Sequence, residues 1–184
     1  MNNKIQNSTV DLLKRISSDE RKLFSILIQN NFKKYLDSKK DIKNILFVYN
    51  SDFEPNIEPI IQMCKDLNIE CYCYCIIRKK EDITQINFNI QRMQFFKYTK
   101  LPYYDNTESS FKKEFDLVFF PILAFNSNKE CIDYEFKINY VRIMNLSPKT
   151  TKCAYCFSIQ EYFDLDQCKN KFSVDNIITE LTII

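Results

Sequence analysis

Not one of the 184 residues is glycine. A globular chain of this length ordinarily carries about a dozen. Glycine takes up positive φ without a steric penalty and lets the backbone come close to a phosphate. A chain without it has no P-loop, no G-x-G-x-x-G dinucleotide turn, no G-x-S-x-G nucleophile elbow and no standard calcium loop. Histidine is also absent. That removes the usual general base at neutral pH and the commonest metal ligand.

Apolar residues make up 45% of the chain, enough for a packed core. The length suits one domain spanning residues 1–184, with the polar residues 1–12 read as a flexible, linker-like start. Lysine and arginine number 26 against 24 acids, a net charge of +2. So small an excess gives no footprint for nucleic acid or an anionic membrane. The first ten residues hold no apolar core of a secretory signal, and no apolar run reaches the roughly 18–20 residues that span a bilayer. The chain is expected to be cytoplasmic.

Eight cysteines lie at 64, 71, 73, 75, 131, 153, 156 and 168. Cys71, Cys73 and Cys75 alternate, so a strand would turn all three sulfurs to one face. In a reducing compartment cysteine serves as a small apolar residue. Cys153 and Cys156 have the spacing of half a zinc site, but there is no second C-x-x-C and no histidine to complete four ligands. No metal site is expected.

Ser17 and Glu20 form the S-x-x-E signature of a helix start. Leu23, Phe24, Leu27, Ile28, Phe32 and Tyr35 follow at helical spacing. Residues 45–49 are a short continuous apolar run, the pattern of a strand buried on both faces. Residues 57–67 read as a helix and 70–77 as the next strand, giving a right-handed βαβ unit. Residues 86–98 suggest a hairpin or edge strands, and 101–110 a loop. Further strands are expected at 116–121, 152–157 and 174–179. The alternation predicts an α/β fold: a three-layer, Rossmann-like sandwich, with a mostly parallel sheet covered by helices on both faces.

Ligands of open α/β sheets collect at the carboxyl ends of the strands. Two loops belong there. One follows residues 45–49 and carries Asp52 and Glu54; the other runs over 124–140. Glu54 would accept hydrogen bonds from a ligand amine or amide, or it would be a solvated loop acid or a cap for the helix behind it.

The run Asp116-Leu117-Val118-Phe119-Phe120-Pro121-Ile122-Leu123-Ala124-Phe125-Asn126 resembles a "D-L-(apolar)-(apolar)-P-G-L-A-F-D" segment of the 5-formyltetrahydrofolate cyclo-ligase family, the methenyltetrahydrofolate synthetases. Other pieces follow in the same order. Residues 16–21 are similar to that family's first helix start. Tyr49 and Glu54 are similar to its strand and substrate loop, and Met93 and Phe95 to its "M-x-F" strand. Residues 174–180 are similar to its closing "V-D-x-I-I-T-E". The resemblance spans about residues 16–180.

It implies a cyclo-ligase-like protein of folate one-carbon metabolism. The family uses ATP and Mg2+ to phosphorylate the formyl oxygen of 5-formyltetrahydrofolate; N10 then attacks, and phosphate leaves to give 5,10-methenyltetrahydrofolate. Catalysis of this kind rests on positioning phosphate and neutralising charge. The resemblance makes Glu54 a substrate-binding residue, with Met93, Phe95, Phe125 and Tyr134 lining an aromatic pocket for a flat ring. The bland alternative has those four filling core positions.

This chain departs from the family where phosphate would bind. The family's glycine-rich stretch falls on residues 131–141, and its glycines have become Asp133, Glu135, Phe136 and Lys137. Carboxylates and a bulky ring oppose a triphosphate by charge and by volume. The two acids expected to hold Mg2+ fall on Tyr140 and Lys171. Of the nucleotide-contacting "K-x-x-x-R" near the N-terminus, only Lys4 is a candidate. The implied partner is a reduced folate, bound by a monomer. The alternatives are a non-catalytic relative that binds folate or a protein, and a structural subunit without a ligand.

Overall fold

The computed structural model describes residues 2–39, 41–48, 53–77, 80–86, 94–95, 102–104, 114–132, 148–166, 168 and 171–184. Two helices open the chain, α1 (Asn2–Arg15) and α2 (Ser18–Ser38). β1 (Asn44–Phe47), α3 (Glu58–Asp66) and β2 (Glu70–Ile77) form the expected βαβ unit. Then come β3 (Lys80–Gln85), β4 (Gln94–Phe95), β5 (Pro102–Tyr104) and β6 (Leu117–Pro121). β7 (Ala124–Phe125), β8 (Glu130–Ile132), β9 (Thr151–Tyr155), β10 (Lys171–Ser173) and β11 (Asn176–Ile178) complete the described elements. No helix among the described residues is long and apolar enough to cross a membrane.

The main sheet runs β11-β9-β6-β1-β2-β5-β4, with β3 also paired to β2. Every neighbouring pair from β11 to β5 is parallel. β3 and β4 join antiparallel. From β1 the chain steps one way to β2 and β5, then returns to the other side of β1 for β6, β9 and β11. The boundary between β1 and β6 is therefore the topological switch point of the sheet.

Side chains alternate cleanly across the sheet. Ile45, Phe47, Cys71, Cys73, Leu117, Phe119, Cys153, Tyr155 and Ile178 face one core. Leu46, Val48, Tyr72, Tyr74, Val118, Phe120, Ala154, Cys156 and Ile177 face the other. α2 and α3 cover the first face with Ile28, Phe32, Leu36, Ile60, Ile61 and Cys64, and the end of α1 adds Leu13. Among the described residues, the second face is covered by a separate three-stranded antiparallel sheet, β10-β8-β7, through Phe125, Cys131 and Phe172. Phe119 lies at the centre of the first core, 4.5 Å from the Phe32 ring and stacked 4.6 Å from Tyr155.

The mostly parallel α/β architecture stands as expected, and three local readings are corrected. Residues 1–12 are not linker-like, because Asn2–Arg15 is helical. Ile5, Thr9 and Leu13 recur every fourth residue and are buried along one face. Thr9 donates its hydroxyl to the Tyr162 phenol at 3.0 Å. The expected loop at 101–110 contains strand β5, whose Pro102 is its first residue, a place where a proline is tolerated in a strand. The expected loop at 124–140 contains β7 and β8. The Asn126 side chain folds the turn between them by accepting the amides of Asn128 (3.1 Å) and Glu130 (3.0 Å).

Two interactions fix the frame. Asp116, at the head of β6, accepts the backbone amides of Lys43 (2.8 Å) and Asn44 (3.0 Å) and the Asn44 amide side chain (2.9 Å). The Asp116 amide in turn donates to Asn44 Oδ1 at 3.1 Å. The start of β1 and the start of β6 are thereby held in register. The second is at the end of α3. Asn68 takes φ 59°, its amide donates to Lys65, and the Ile69 amide donates to Cys64, all at the geometry of a Schellman stop. Asparagine fills here the place glycine usually takes.

Replacing Asp116 with alanine removes three accepted bonds to one carboxylate. We expect a loss of about 1.5–3 kcal/mol in urea unfolding, with the m-value unchanged. At position 68 the sign depends on the residue. Asn68→Val should cost about 1–2 kcal/mol because a β-branched side chain is strained in the left-handed region, whereas Asn68→Gly should leave the melting temperature level or raise it.

Candidate functional site

In open α/β sheets ligands bind in the crevice outside the carboxyl ends of the strands at the switch point, which here is the boundary of β1 and β6. β1 is prolonged there by the Val48 amide, which donates to Phe119 at 2.9 Å. The phenol of Tyr155, at the end of β9, donates to the Val48 carbonyl at 3.1 Å. Three strand ends are thus joined at the floor of the crevice.

The segment that follows β1 returns at Phe53 and enters α3 through buried Pro55 and Ile57. α2 holds it at two points one helical turn apart. Arg21 donates to the Phe53 carbonyl, and its other nitrogen donates to the Leu13 carbonyl at 2.9 Å. The guanidinium also lies over the Phe157 ring, 5.6 Å from its centre. Ser25 accepts the Asn56 amide at 3.0 Å and donates its own proton to the Arg21 carbonyl at 2.7 Å. Glu54 sits between these two points. The residue is half-buried, and both carboxylate oxygens are shielded from solvent.

Glu54 is one of three carboxylates close enough to Cys156 to act on its thiol. Burial pushes the Cys156 thiol well above its ordinary pKa, and Cys131, Glu180, Glu54 and Glu161 push it further by charge. Glu180 is itself anchored: it accepts the Ser158 amide at 2.9 Å and the Ser158 hydroxyl. It thereby caps the 3-10 turn Ser158–Gln160. Gln160, fully buried, donates to the carbonyls of Ile122 (2.8 Å) and Leu123 (2.9 Å) just past β6, and accepts the Phe157 amide at 2.9 Å. Ser158, Gln160 and Glu180 so tie the ends of β6, β9 and β11 together. Sequence reading attached no role to Ser158 or Gln160. Their partners lie 22 and 38 residues away, and no local pattern announces such pairs.

Of the sequence-derived site residues, Glu54 lies at the crevice. Phe125 is 1% exposed in the second core, and its carbonyl accepts the Tyr162 amide at 2.7 Å. Met93 and Tyr134 lie outside the described residues, as do Asp52, Asp133, Glu135, Phe136, Lys137 and Tyr140. Lys4 falls in the first turn of α1. Lys171, where the resemblance places a metal-binding acid, bridges Glu130 and Asp166 at 2.7 Å each. Those carboxylates raise the Lys171 pKa, and Lys171 lowers that of Glu130.

The cysteines behave as core residues. Those at 64, 71, 73, 131, 153, 156 and 168 are buried. Cys153 faces the first core and Cys156 the second, so the C-x-x-C pair cannot grip one ion from a common side. Among the described residues no cluster of three or more metal-binding side chains occurs. An open groove of about 500 Å³ lies between α2 and α3, lined by Gln29, Lys33, Pro59, Gln62, Met63 and Asp66. It sits in the helical layer and includes no residue of the crevice.

No protein-family model matches the chain, and no curated protein matches it in sequence. Solved structures do. A 5,10-methenyltetrahydrofolate synthetase from Aquifex aeolicus superimposes with a TM-score of 0.80 at 16% identity, over 98% of this chain and 90% of that one. The 5,10-methenyltetrahydrofolate synthetase from Mycoplasma pneumoniae superimposes with a TM-score of 0.71 at 16% identity, over 97% of this chain and 98% of that one. The chain therefore has the fold of these synthetases from end to end.

Proposed function

We propose that this chain is a cyclo-ligase-like protein of folate one-carbon metabolism whose crevice binds a reduced folate, 5-formyltetrahydrofolate. The observation that carries the reading is Glu54. A carboxylate shielded from water, on the loop after β1 at the switch point, suits the donor-rich edge of a pterin ring. Hydrogen bonds from ring amine and amide groups to a carboxylate are charge-assisted and stronger in such a place than in water. The end-to-end likeness to two methenyltetrahydrofolate synthetases supports the same ligand class.

The described residues do not fit the Mg2+-ATP that the resemblance implies. At position 171 a carboxylate is wanted, yet an ammonium stands there and already engages Glu130 and Asp166. This observation favours a second reading, in which folate binding is retained without turnover. Neither reading needs a membrane or a nucleic acid.

One assay separates the readings. Purified protein is mixed with 5-formyltetrahydrofolate, with and without Mg-ATP, and followed by the methenyl absorbance and by thermal melting. Folate should raise the melting temperature, by an amount that grows with ligand concentration. Glu54→Gln should weaken binding roughly ten- to a hundredfold. Methenyl absorbance appearing only with Mg-ATP would establish a cyclo-ligase. Stabilisation without absorbance would establish the non-catalytic binder. No response to folate at millimolar concentration would overturn both.

A further inference from the structure

We propose that Arg21 and Ser25, on the first two turns of α2, act together as a clamp that positions Glu54 for its ligand. The proposal rests on the folate reading for the ligand's identity, but not for the clamp itself. The loop acid has no regular element around it, since residues 53–57 lie between a strand and a helix. A carboxylate on such a segment is aimed only as well as its backbone is held. Here the backbone is held on each side of Glu54. Arg21 grips the carbonyl of the preceding residue, Phe53, and Ser25 accepts the amide of Asn56, two residues after Glu54. Pro55 between them has a fixed φ and is buried. Arg21 and Ser25 are four apart on one helix face and joined by the bond from Ser25 to the Arg21 carbonyl, so the two grips share one rigid base.

The base is itself anchored. Arg21 also donates to the Leu13 and Ile16 carbonyls at the end of α1, at 2.9 and 3.4 Å, and stacks over Phe157 beside the 3-10 turn that Glu180 caps. One guanidinium thus joins the end of α1, the Glu54 loop and the end of β9. Lysine would lack the planar fork needed for several carbonyls at once. Arg21 and Ser25 reach the Glu54 segment through its backbone, at Phe53 and Asn56, so their effect on a ligand would pass through Glu54, and they are positioning residues.

The test is a double-mutant cycle with a ligand-independent readout. Affinity for 5-formyltetrahydrofolate is measured by calorimetry for wild type, Arg21→Ala, Arg21→Lys, Ser25→Ala, Glu54→Gln and Ser25→Ala/Glu54→Gln. Amide exchange at Phe53, Glu54 and Asn56 is followed in the same proteins without ligand. We expect Ser25→Ala and Arg21→Ala each to weaken binding about tenfold and to speed exchange at these amides, with Arg21→Lys intermediate. In the Glu54→Gln background the Ser25→Ala effect should vanish, because a residue acting through Glu54 has nothing left to position. A Ser25→Ala loss that persists undiminished beside Glu54→Gln would overturn the positioning role, as would unchanged exchange at all three amides. If Arg21→Ala does not fold, Ser25→Ala carries the cycle. If wild type binds no folate, the folate reading falls, and the exchange data alone decide the clamp.

Discussion

The carboxylate of Asp116 holds the molecule at the one place where its topology changes direction. Parallel strands have no hairpin to set their register, and a slip of one residue would turn every side chain to the wrong face. Between β1 and β6 the chain has travelled more than sixty residues. Asp116 and Asn44 replace the missing turn with a reciprocal set of bonds across the strand starts. With that pairing fixed, Ile45 and Phe47 meet Leu117 and Phe119 on one side, and Leu46 meets Val118 on the other. The crevice at the opposite end of the same two strands inherits its geometry from this lock. Asp175 repeats the device at the β9–β11 pair, accepting the Lys152 amide at 2.7 Å where β9 begins.

A chain without glycine has to make its reversals in other ways, and the solutions are visible. Asn68 and Lys129 are the positive-φ residues among those described, at 59° and 60°. Asparagine at a helix stop is tolerated because its short polar side chain suits the left-handed region. Lys129 is helped by the Asn126 side chain, which accepts two amides within the same turn. The C-terminus turns without either. The Thr179 hydroxyl accepts the amides of Leu181 and Thr182, and Ile184 folds back to exchange bonds with Ile177. Side-chain acceptors have taken over the work that backbone freedom does elsewhere.

Strong local patterns made much of this fold legible in the sequence. The capping box at Ser17 and Glu20 forms with both bonds in place. The apolar run expected as a strand at 45–49 gives β1, buried over Asn44–Phe47, and the strand expected at 70–77 is β2 with those bounds. α1 was missed because its buried stripe is only Ile5, Thr9 and Leu13, with a threonine in the middle. β5, β7 and β8 were missed because strands of two or three residues give no periodicity; they are made by their partners. At the candidate site, the place of Glu54 after a buried strand was legible. Arg21, Ser25, Ser158 and Gln160 were not, because each acts on a backbone group distant in sequence.

The resemblance itself divides along the same line. Asp116 locks strands, Asp175 locks strands, Thr179 makes a turn, and Glu180 caps one. Each of these motif positions is accounted for by a backbone it holds. Likeness there follows from architecture and says nothing about turnover. The motif positions tied to phosphate and metal are the ones this chain fills differently, with Lys171 bound to two acids as the visible case. A fold can keep its frame after the demands of one ligand have lapsed, because strand register and turn geometry are needed whatever the crevice holds. Glu54 lies on the loop after β1, and its carboxylate is withdrawn from water. Holding a carboxylate in such a place costs desolvation that a hydrogen-bond-donating ligand would offset. The chemistry of that one loop, more than the likeness of the whole, is what points to a ligand.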